Sequence, residues 1–250
     1  MLRIDPSEHL FNSDSSASDD FDHVVFMEHL VHDMRSLLAP IQGFAEIIAL
    51  SGKDDESINI SEIGKVIVTQ SDRLGKIIED ALMCTRIMEK RLEISCVPVR
   101  ISPMLDSLNE ELQNNNEKTI HYENKLGDCI ISGDLFYLRD ALMRVIDNAM
   151  TFAKSQVSIT SFVDQGKGES WASICIEDDG VGIAETDLPT IFEFYNRKNN
   201  PHPRGSSGNG MSLFIVRTIL SRHQAKIKVE SSPGKGTLFV FNFPVLRNIA

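Results

Sequence analysis

Val31-His32-Asp33-Met34-Arg35-Ser36, residues 31–36, lies in a run whose apolar residues recur at alternating steps of three and four: Met27, Leu30, Met34, Leu37, Ile41, Phe44 and Ile48. That spacing is the seam of a coiled coil or helix bundle. With Met27 and Met34 at one seam position and Leu30 and Leu37 at the other, His32 falls between seams and points outward. Ser51-Gly52-Lys53-Asp54-Asp55-Glu56-Ser57 breaks the run, and a second seam follows at Ile63, Ile67, Gln70, Leu74, Ile77, Ala81, Cys84 and Met88. Two such helices, each about 40 Å long at a rise of about 1.5 Å per residue, joined by a short loop, make an antiparallel hairpin. One hairpin has only one stripe to bury against itself. Pairing with a second copy into a four-helix bundle covers the remainder, so a homodimer is expected.

The bounds on the chain agree with a folded, non-membrane protein. Its 250 residues carry a formal net charge of -11 and 42% hydrophobic residues, enough for one or two cores. The acidic balance argues against nucleic acid as the main partner, because a phosphate backbone needs a basic surface. No apolar run approaches the roughly 20 residues of a spanning helix, and the N-terminus has no basic-then-apolar leader; a cytoplasmic protein is the expectation. Cys84, Cys96, Cys129 and Cys175 form no Cys-x-x-Cys pair, so buried thiols are expected instead of a zinc site or a disulfide framework. Residues 1–21, with the run Asn12 to Asp20, hold too little apolar surface to offset ordering entropy and read as an acidic, Ser-rich tail. Residues 22–95 form the helical hairpin and 96–250 a second domain.

A lone outward histidine on a helix is ordinarily incidental, but the neighbours of His32 are not neutral. Asp33 can polarise the imidazole so that a ring nitrogen becomes the nucleophile, the arrangement of an activated attacking group with its orienting partner. Ser36, one turn further along the same face, offers a hydroxyl to a water or a phosphoryl oxygen. The stretch Phe26 to Ile48 resembles the dimerisation and phosphoacceptor region of sensor histidine kinases, whose signature is His-Glu/Asp-x-Arg-Thr-Pro-Leu. His32, Asp33, Arg35 and Leu38 match it, Ser36 stands at the threonine position and Leu37 at the proline position. A proline comes three residues later: Pro40 withdraws the helical hydrogen bond to the Ser36 carbonyl, and a displaced kink is predicted.

Downstream the pattern changes. Val97-Pro98-Val99 reads as a linker entering an edge strand, and residues 103–117 as a helix with Pro103 in its first turn. Strands are predicted at Thr119–Tyr122, Asp128–Ser132, Gln156–Val163, Trp171–Glu177, Lys226–Glu230 and Thr237–Phe243. Helices are predicted at Leu135–Ala153 and Met211–Ser221. The fold class is therefore α+β: a helical hairpin, then an α/β sandwich with helices on one face of a mixed sheet.

Four motifs in that second half resemble, in order, the nucleotide-binding boxes of the same family. Asp147-Asn148-Ala149 resembles the asparagine box, which implies that Asn148 holds the magnesium ion bridging the ATP phosphates. Asp178-Asp179-Gly180-Val181-Gly182-Ile183 resembles the first glycine box, which implies that Asp178 accepts from the adenine amino group; Gly180 and Gly182 relax the backbone there. Ile191-Phe192-Glu193-Phe194-Tyr195 resembles the aromatic box beside the ATP lid, and by itself reads as a core helix. Gly205-Ser206-Ser207-Gly208-Asn209-Gly210 opens a helix and resembles the second glycine box. Here Gly208 and Gly210 would present backbone N–H groups and a positive helix end to phosphate. Ser232 to Thr237 forms the tight turn and strand that end the domain in the family, with Thr237 counted among the nucleotide-contacting residues.

The resemblance covers about nine-tenths of the chain and implies a protein-histidine kinase. It would autophosphorylate His32 with Mg-ATP, using Asp33 and Ser36, and pass the phosphoryl group to an aspartate of a response-regulator receiver domain. The reverse dephosphorylation of that regulator is a possible second activity. A lid between Phe192 and Gly210 would close over ATP, with Arg197 or Lys198 steadying the transferred group. Departures bear on mechanism. Arg144 and Thr151 stand where many relatives carry asparagine and lysine, and Arg144, with Lys154 second, is expected to supply the phosphate-facing charge; Ser212 replaces a glycine. These departures favour an alternative, a phosphotransferase or phosphatase with a degenerate ATP domain. A non-kinase ATPase of the topoisomerase and Hsp90 type is remote, given the upstream hairpin. With only a polar tail ahead of the hairpin, the input is expected from a separate sensory protein, the tail itself or sequence outside this chain.

Overall fold

The computed structural model describes residues 23–50, 59–115, 118–165, 169–195 and 210–246. The chain divides into two compact units, one ending at Leu92 and the other beginning at Glu93.

In the first unit, helix α1 (His23–Leu50) packs against α2 (Ile60–Met88). Asn59 starts α2: its side-chain oxygen accepts from the Glu62 N–H at 3.2 Å and its amide donates to the Glu62 carboxylate at 3.3 Å, a reciprocal cap that satisfies backbone donors the helix cannot. The buried stripe of α1 is Phe26, Leu30, Asp33 and Leu37, and that of α2 is Ile77, Asp80, Ala81 and Cys84. This corrects the expected seam at its start. Met27 is 52% exposed and Phe26 7%, because the observed steps run four, three, four through Asp33. A seam traced through apolar residues alone passes over a carboxylate. Helix α1 runs unbroken through Pro40.

The second unit contains β1 (Val97–Arg100), α3 (Ser102–Asn115), β2 (Thr119–Lys125), β3 (Ile130–Gly133), α4 (Leu135–Phe152), β4 (Gln156–Gln165) and β5 (Ser170–Asp178). A 3-10 turn at Leu188–Thr190, α5 (Ser212–Arg222), β6 (Lys226–Ser232) and β7 (Gly236–Pro244) complete it. The sheet is mixed, in the order β2-β4-β5-β7-β6. Only β2 and β4 are parallel, and β1 and β3 form a separate antiparallel ribbon. The segment Ile191–Tyr195 is not helical; it follows the 3-10 turn irregularly, although Phe192 is buried as a core residue.

Directly opposed residues share a face of the sheet, so its register lays out rows. Ile159, Ile176, Phe239 and Val229 form one row, and Ser161, Ile174, Phe241 and Ile227 the next. Helix α4 covers these rows with Leu138, Leu142, Val145, Ile146 and Ala149, all buried, and α5 packs beside it with Ile215, Val216 and Ile219. Each large aliphatic side chain removed from water in this way contributes about 1.5–3 kcal/mol. At one end of the sheet the row turns polar after Val157, with Asp178, Thr237 and Ser231.

The four thiols are free, but only Cys84 is buried and Cys96 is exposed, contrary to the expectation of four buried thiols. Cys96 immediately precedes β1, in a ribbon that lies outside the main sheet and covers less.

His223, just past α5, ties the two core helices together. It is 3% exposed. Its Nδ1 meets the Ile219 carbonyl at 2.7 Å, and its Nε2 accepts from the Asp134 N–H at 3.0 Å; Asp134 in turn caps α4 through the Phe136 N–H at 3.1 Å. These partners fit only the neutral ring with its proton on Nδ1. Burial pushes the pKa down, partly offset by the Ile219 carbonyl and the Asp134 carboxylate. A base held neutral in the fold takes up its proton only in the unfolded chain, so its contribution is complete above the unfolded pKa of about 6.5 and declines as pH falls below it. The melting temperature should therefore drop between pH 7 and pH 5, and His223→Gln should flatten that part of the curve; an unchanged slope in the variant would remove His223 from the account.

Candidate functional site

On α1 the side chain of His32 is 80% exposed while that of Asp33 is 9% exposed, so neighbouring residues point out and in. The His32 Nδ1 lies 3.5 Å from Asp33 Oδ1, at the outer limit of a hydrogen bond. With the carboxylate on the Nδ1 side, Nε2 is the nitrogen turned away from the helix. Ser36 donates its hydroxyl to the Asp33 carbonyl at 2.7 Å, which turns the group back along the helix.

In the second unit the polar row at the sheet end builds a recess. Asp178 closes β5 and is 6% exposed. Its Oδ1 accepts from the Gly180 N–H at 2.8 Å. Burial raises the pKa of Asp178, against the backbone hydrogen bonds from Gly180 and Thr237 that favour the charge. The result is a buried acceptor beside the hydroxyls of Thr237 and Ser231, aimed inward by strand register. Beside it, Ser231 Oγ donates to the Gly236 carbonyl at 2.8 Å, lies 3.0 Å from the Thr237 hydroxyl, and accepts from the Ile183 N–H at 2.8 Å.

Two glycines in this loop cannot be replaced in place. A Cβ on Gly180 would lie 2.3 Å from the Phe152 carbonyl oxygen, and one on Gly182, at φ +70°, would lie 2.0 Å from that of Ser232. The loop after β5 is therefore pressed against both the end of α4 and the turn between β6 and β7.

Asn148 occupies the last turns of α4 and is half-buried. Arg144 lies one turn earlier on the same face and holds the Asp140 carboxylate through Nε at 2.9 Å. Thr151 donates its hydroxyl to the Asp147 carbonyl at 2.7 Å, and Lys154 donates its ammonium to the Gly234 carbonyl at 3.1 Å. Lys154, expected to serve phosphate, thus also closes a loop contact. Gly210, at φ +68°, precedes α5, whose N-cap position, Met211, makes no side-chain capping hydrogen bond among the described residues. Phe194 stacks edge-on with Phe214 at 5.0 Å between centroids, tying the aromatic segment to α5. Gly208, Arg197 and Lys198 lie outside the described residues.

Asn148, Arg144, Asp178, Gly180, Gly182, Gly210 and Thr237 all lie in the second unit, where Asp178 pairs with Thr237 across β5 and β7 and accepts from Gly180; His32, Asp33 and Ser36 lie in the first. Ser231 and Asp179 were missed by sequence reading. Ser231 belongs to no motif, and only the β6–β7 register places it beside Thr237. Asp179 sits inside a motif, but as its variable position.

A carboxylate-ended strand, a glycine loop and an asparagine-bearing helix thus lie in one unit. Residues 133–247 match the family described as histidine kinase-, DNA gyrase B-, and HSP90-like ATPase, and residues 24–90 match the His Kinase A (phospho-acceptor) domain. The chain belongs to the sensor histidine kinases, and its residues 133–247 are an ATP-binding domain. Sensor protein SrrB of Staphylococcus aureus (strain N315) is 27% identical over 224 residues, 88% of this chain and 37% of that protein; the chain thus spans little more than a third of the length of this relative. Histidine kinase AdeS of Acinetobacter baumannii shares the fold with a TM-score of 0.63 at 19% identity, over 86% of this chain and 98% of that one. Histidine kinase ThkA, solved in complex with the response regulator protein TrrA, does so with a TM-score of 0.63 at 17% identity, over 89% and 62%. Among the described residues no helix is long and apolar enough to cross a membrane.

Proposed function

We propose that the chain is an ATP-dependent protein-histidine kinase acting on its own His32 and then on an aspartate of a response-regulator receiver domain. The observation that carries this reading is the presence, in one chain, of an outward imidazole with a carboxylate behind Nδ1 and of a buried carboxylate ending a glycine-framed recess. The His32 Nε2 lone pair attacks the γ-phosphorus, and the bond from phosphorus to the bridging oxygen breaks, releasing ADP. Asp33 orients the ring and balances the positive charge that develops on it, the role an orienting carboxylate plays beside an attacking imidazole. Asp178 accepts from the adenine amino group, and the N-terminus of α5 with Gly210 receives phosphate. The phosphohistidine then gives its phosphoryl group to the receiver aspartate.

Asn148 suits a magnesium ion. Its amide oxygen is a hard donor, and among the described residues no cluster of three His, Cys, Asp or Glu offers an all-protein cage, as fits an ion that keeps water and phosphate as its other ligands. When bound, the ion would neutralise charge developing on the phosphates. The homodimer belongs to the same reading: Met27, Val31, Leu38, Ile78 and Leu82 are exposed apolar side chains on the hairpin, which a second copy would cover. The ThkA complex supports a receiver domain as the acceptor.

The test is incubation with magnesium and γ-labelled ATP. Acid-labile, alkali-stable label is expected on the wild-type chain, and Asn148→Ala should reduce it at least tenfold, the lower end of what altered metal-site residues cost. A folded chain that takes no label from ATP but accepts it from a phosphorylated receiver would favour the phosphotransferase reading instead, for which Thr151 in place of lysine is the specific observation.

A further inference from the structure

Asp179 has no part in the chemistry above, yet few side chains in the described structure make more hydrogen bonds. Its Oδ1 accepts from the backbone N–H groups of Lys154 at 2.8 Å, Ser155 at 3.0 Å and Gln156 at 3.2 Å. Its Oδ2 accepts from the Ser155 hydroxyl at 2.5 Å and lies 3.1 Å from the Ser155 N–H. All these donors belong to the turn that leaves α4. The same helix end is held from the other side by Lys118, whose ammonium donates to the carbonyls of Met150 and, at 2.7 Å, Ala153. A cation on the last carbonyls and an anion on the N–H groups that follow complement the two backbone polarities at that end. A third tie runs from Lys154 to the Gly234 carbonyl, whose own N–H donates to Val181 at 2.7 Å.

Asp178 and Asp179 are successive residues at the end of one strand. Asp178 lies in the row facing the recess, and Asp179 grips the turn Lys154 to Gln156, just past the end of the helix that carries Asn148. The close approach of Gly180 to the Phe152 carbonyl shows how little slack separates the two segments. We infer that Asp179 is a positioning residue of the nucleotide site, which sets the end of α4 that carries Asn148 against the floor that carries Asp178, so that the phosphate and adenine subsites fit one nucleotide. This rests on the Mg-ATP reading. The Ser155 hydroxyl, followed by its N–H, holds the Asp179 carboxyl well below the usual carboxylate range.

The test is a double-mutant cycle on the full chain, measured by calorimetry with Mg-ATP and with adenosine, a probe that lacks phosphates. Asp179→Ala should weaken Mg-ATP binding by roughly 10- to 100-fold, the range found when outer partners of a metal site are lost, and Asn148→Ala, which removes the ligand itself, by at least as much. Adenosine binding should stay within about twofold, and the double variant should bind no worse than Asn148→Ala alone, as for residues acting through one another. Asp179→Asn, which keeps one acceptor oxygen for the three N–H groups and can donate to Ser155 Oγ, should recover most of the affinity. If Asp179→Ala does not fold, Ser155→Ala takes its place in the cycle, with a smaller loss expected. Losses that multiply in the double variant, or an equal loss of adenosine and Mg-ATP binding, would overturn the inference and leave the kinase reading standing. A wild-type chain that binds no Mg-ATP would overturn both.

Discussion

His32→Ala is expected to leave no acid-labile label on the chain after incubation with Mg-ATP, while nucleotide binding stays at the wild-type level. The separation is sharp because His32 lies in the helical unit and Asp178, Asn148 and the glycine loop lie in the other. The substitution should not weaken the hairpin: the side chain is 80% exposed, and alanine has a higher helix propensity than histidine, by up to about 0.7 kcal/mol. A lost signal therefore cannot be ascribed to unfolding, and an unchanged melting temperature checks this directly. Label that survives the substitution would sink the assignment and move the acceptor elsewhere, with the exposed His29 one turn earlier the first imidazole to replace.

Gly182→Ala should damage the second unit more than any substitution of an exposed residue. A residue with a Cβ at φ +70° carries a strain of about 1–2 kcal/mol, and the new atom would lie 2.0 Å from the Ser232 carbonyl oxygen, where overpacking adds about 1–3 kcal/mol. For a unit of this size each kcal/mol lowers the melting temperature by roughly 2–4 °C, so a fall on the order of 10 °C is expected, with loss of nucleotide binding as Asp178 is displaced. Gly127→Ala is the matched control. Its φ is also positive, at +56°, but nothing lies within 4 Å of the added Cβ, so only the conformational strain applies. Equal effects of the two substitutions would mean that the contact with Ser232 carries no weight.

Much of this fold was legible because its signals are local. The strands after Gln156 and Lys226 begin as expected, and the Leu135 helix carries its stripe at Leu138, Leu142, Val145 and Ala149, since period two and period 3.6 survive in a single sequence. The start of the first seam was misread, since Asp33 fills a buried position that a hydrophobic pattern cannot mark. The aromatic segment was also misread as helix. There Pro189 and a 3-10 turn precede a stretch whose Phe192 is buried and whose Phe194 packs on α5, and four aromatic or aliphatic residues in five look the same in either conformation. The recess around Asp178 depends on register between β5, β6 and β7. Motifs named Asp178 and Thr237, while Ser231 became visible only through pairing. Asp179 is illegible for a different reason: apart from the Ser155 hydroxyl, its partners are backbone N–H groups, which no sequence displays.

The rows across the sheet impose a rule of parity on this domain. Asp178 faces the recess because it stands two and four positions along the strand from Ile176 and Ile174, which share its face of β5. Inserting or deleting a single residue within β5 would invert that face, turning Glu177 or Asp179 inward and carrying the apolar row to solvent. Within β5 a substitution can be absorbed one side chain at a time, whereas a change of length by one residue moves every side chain of the strand to the opposite face.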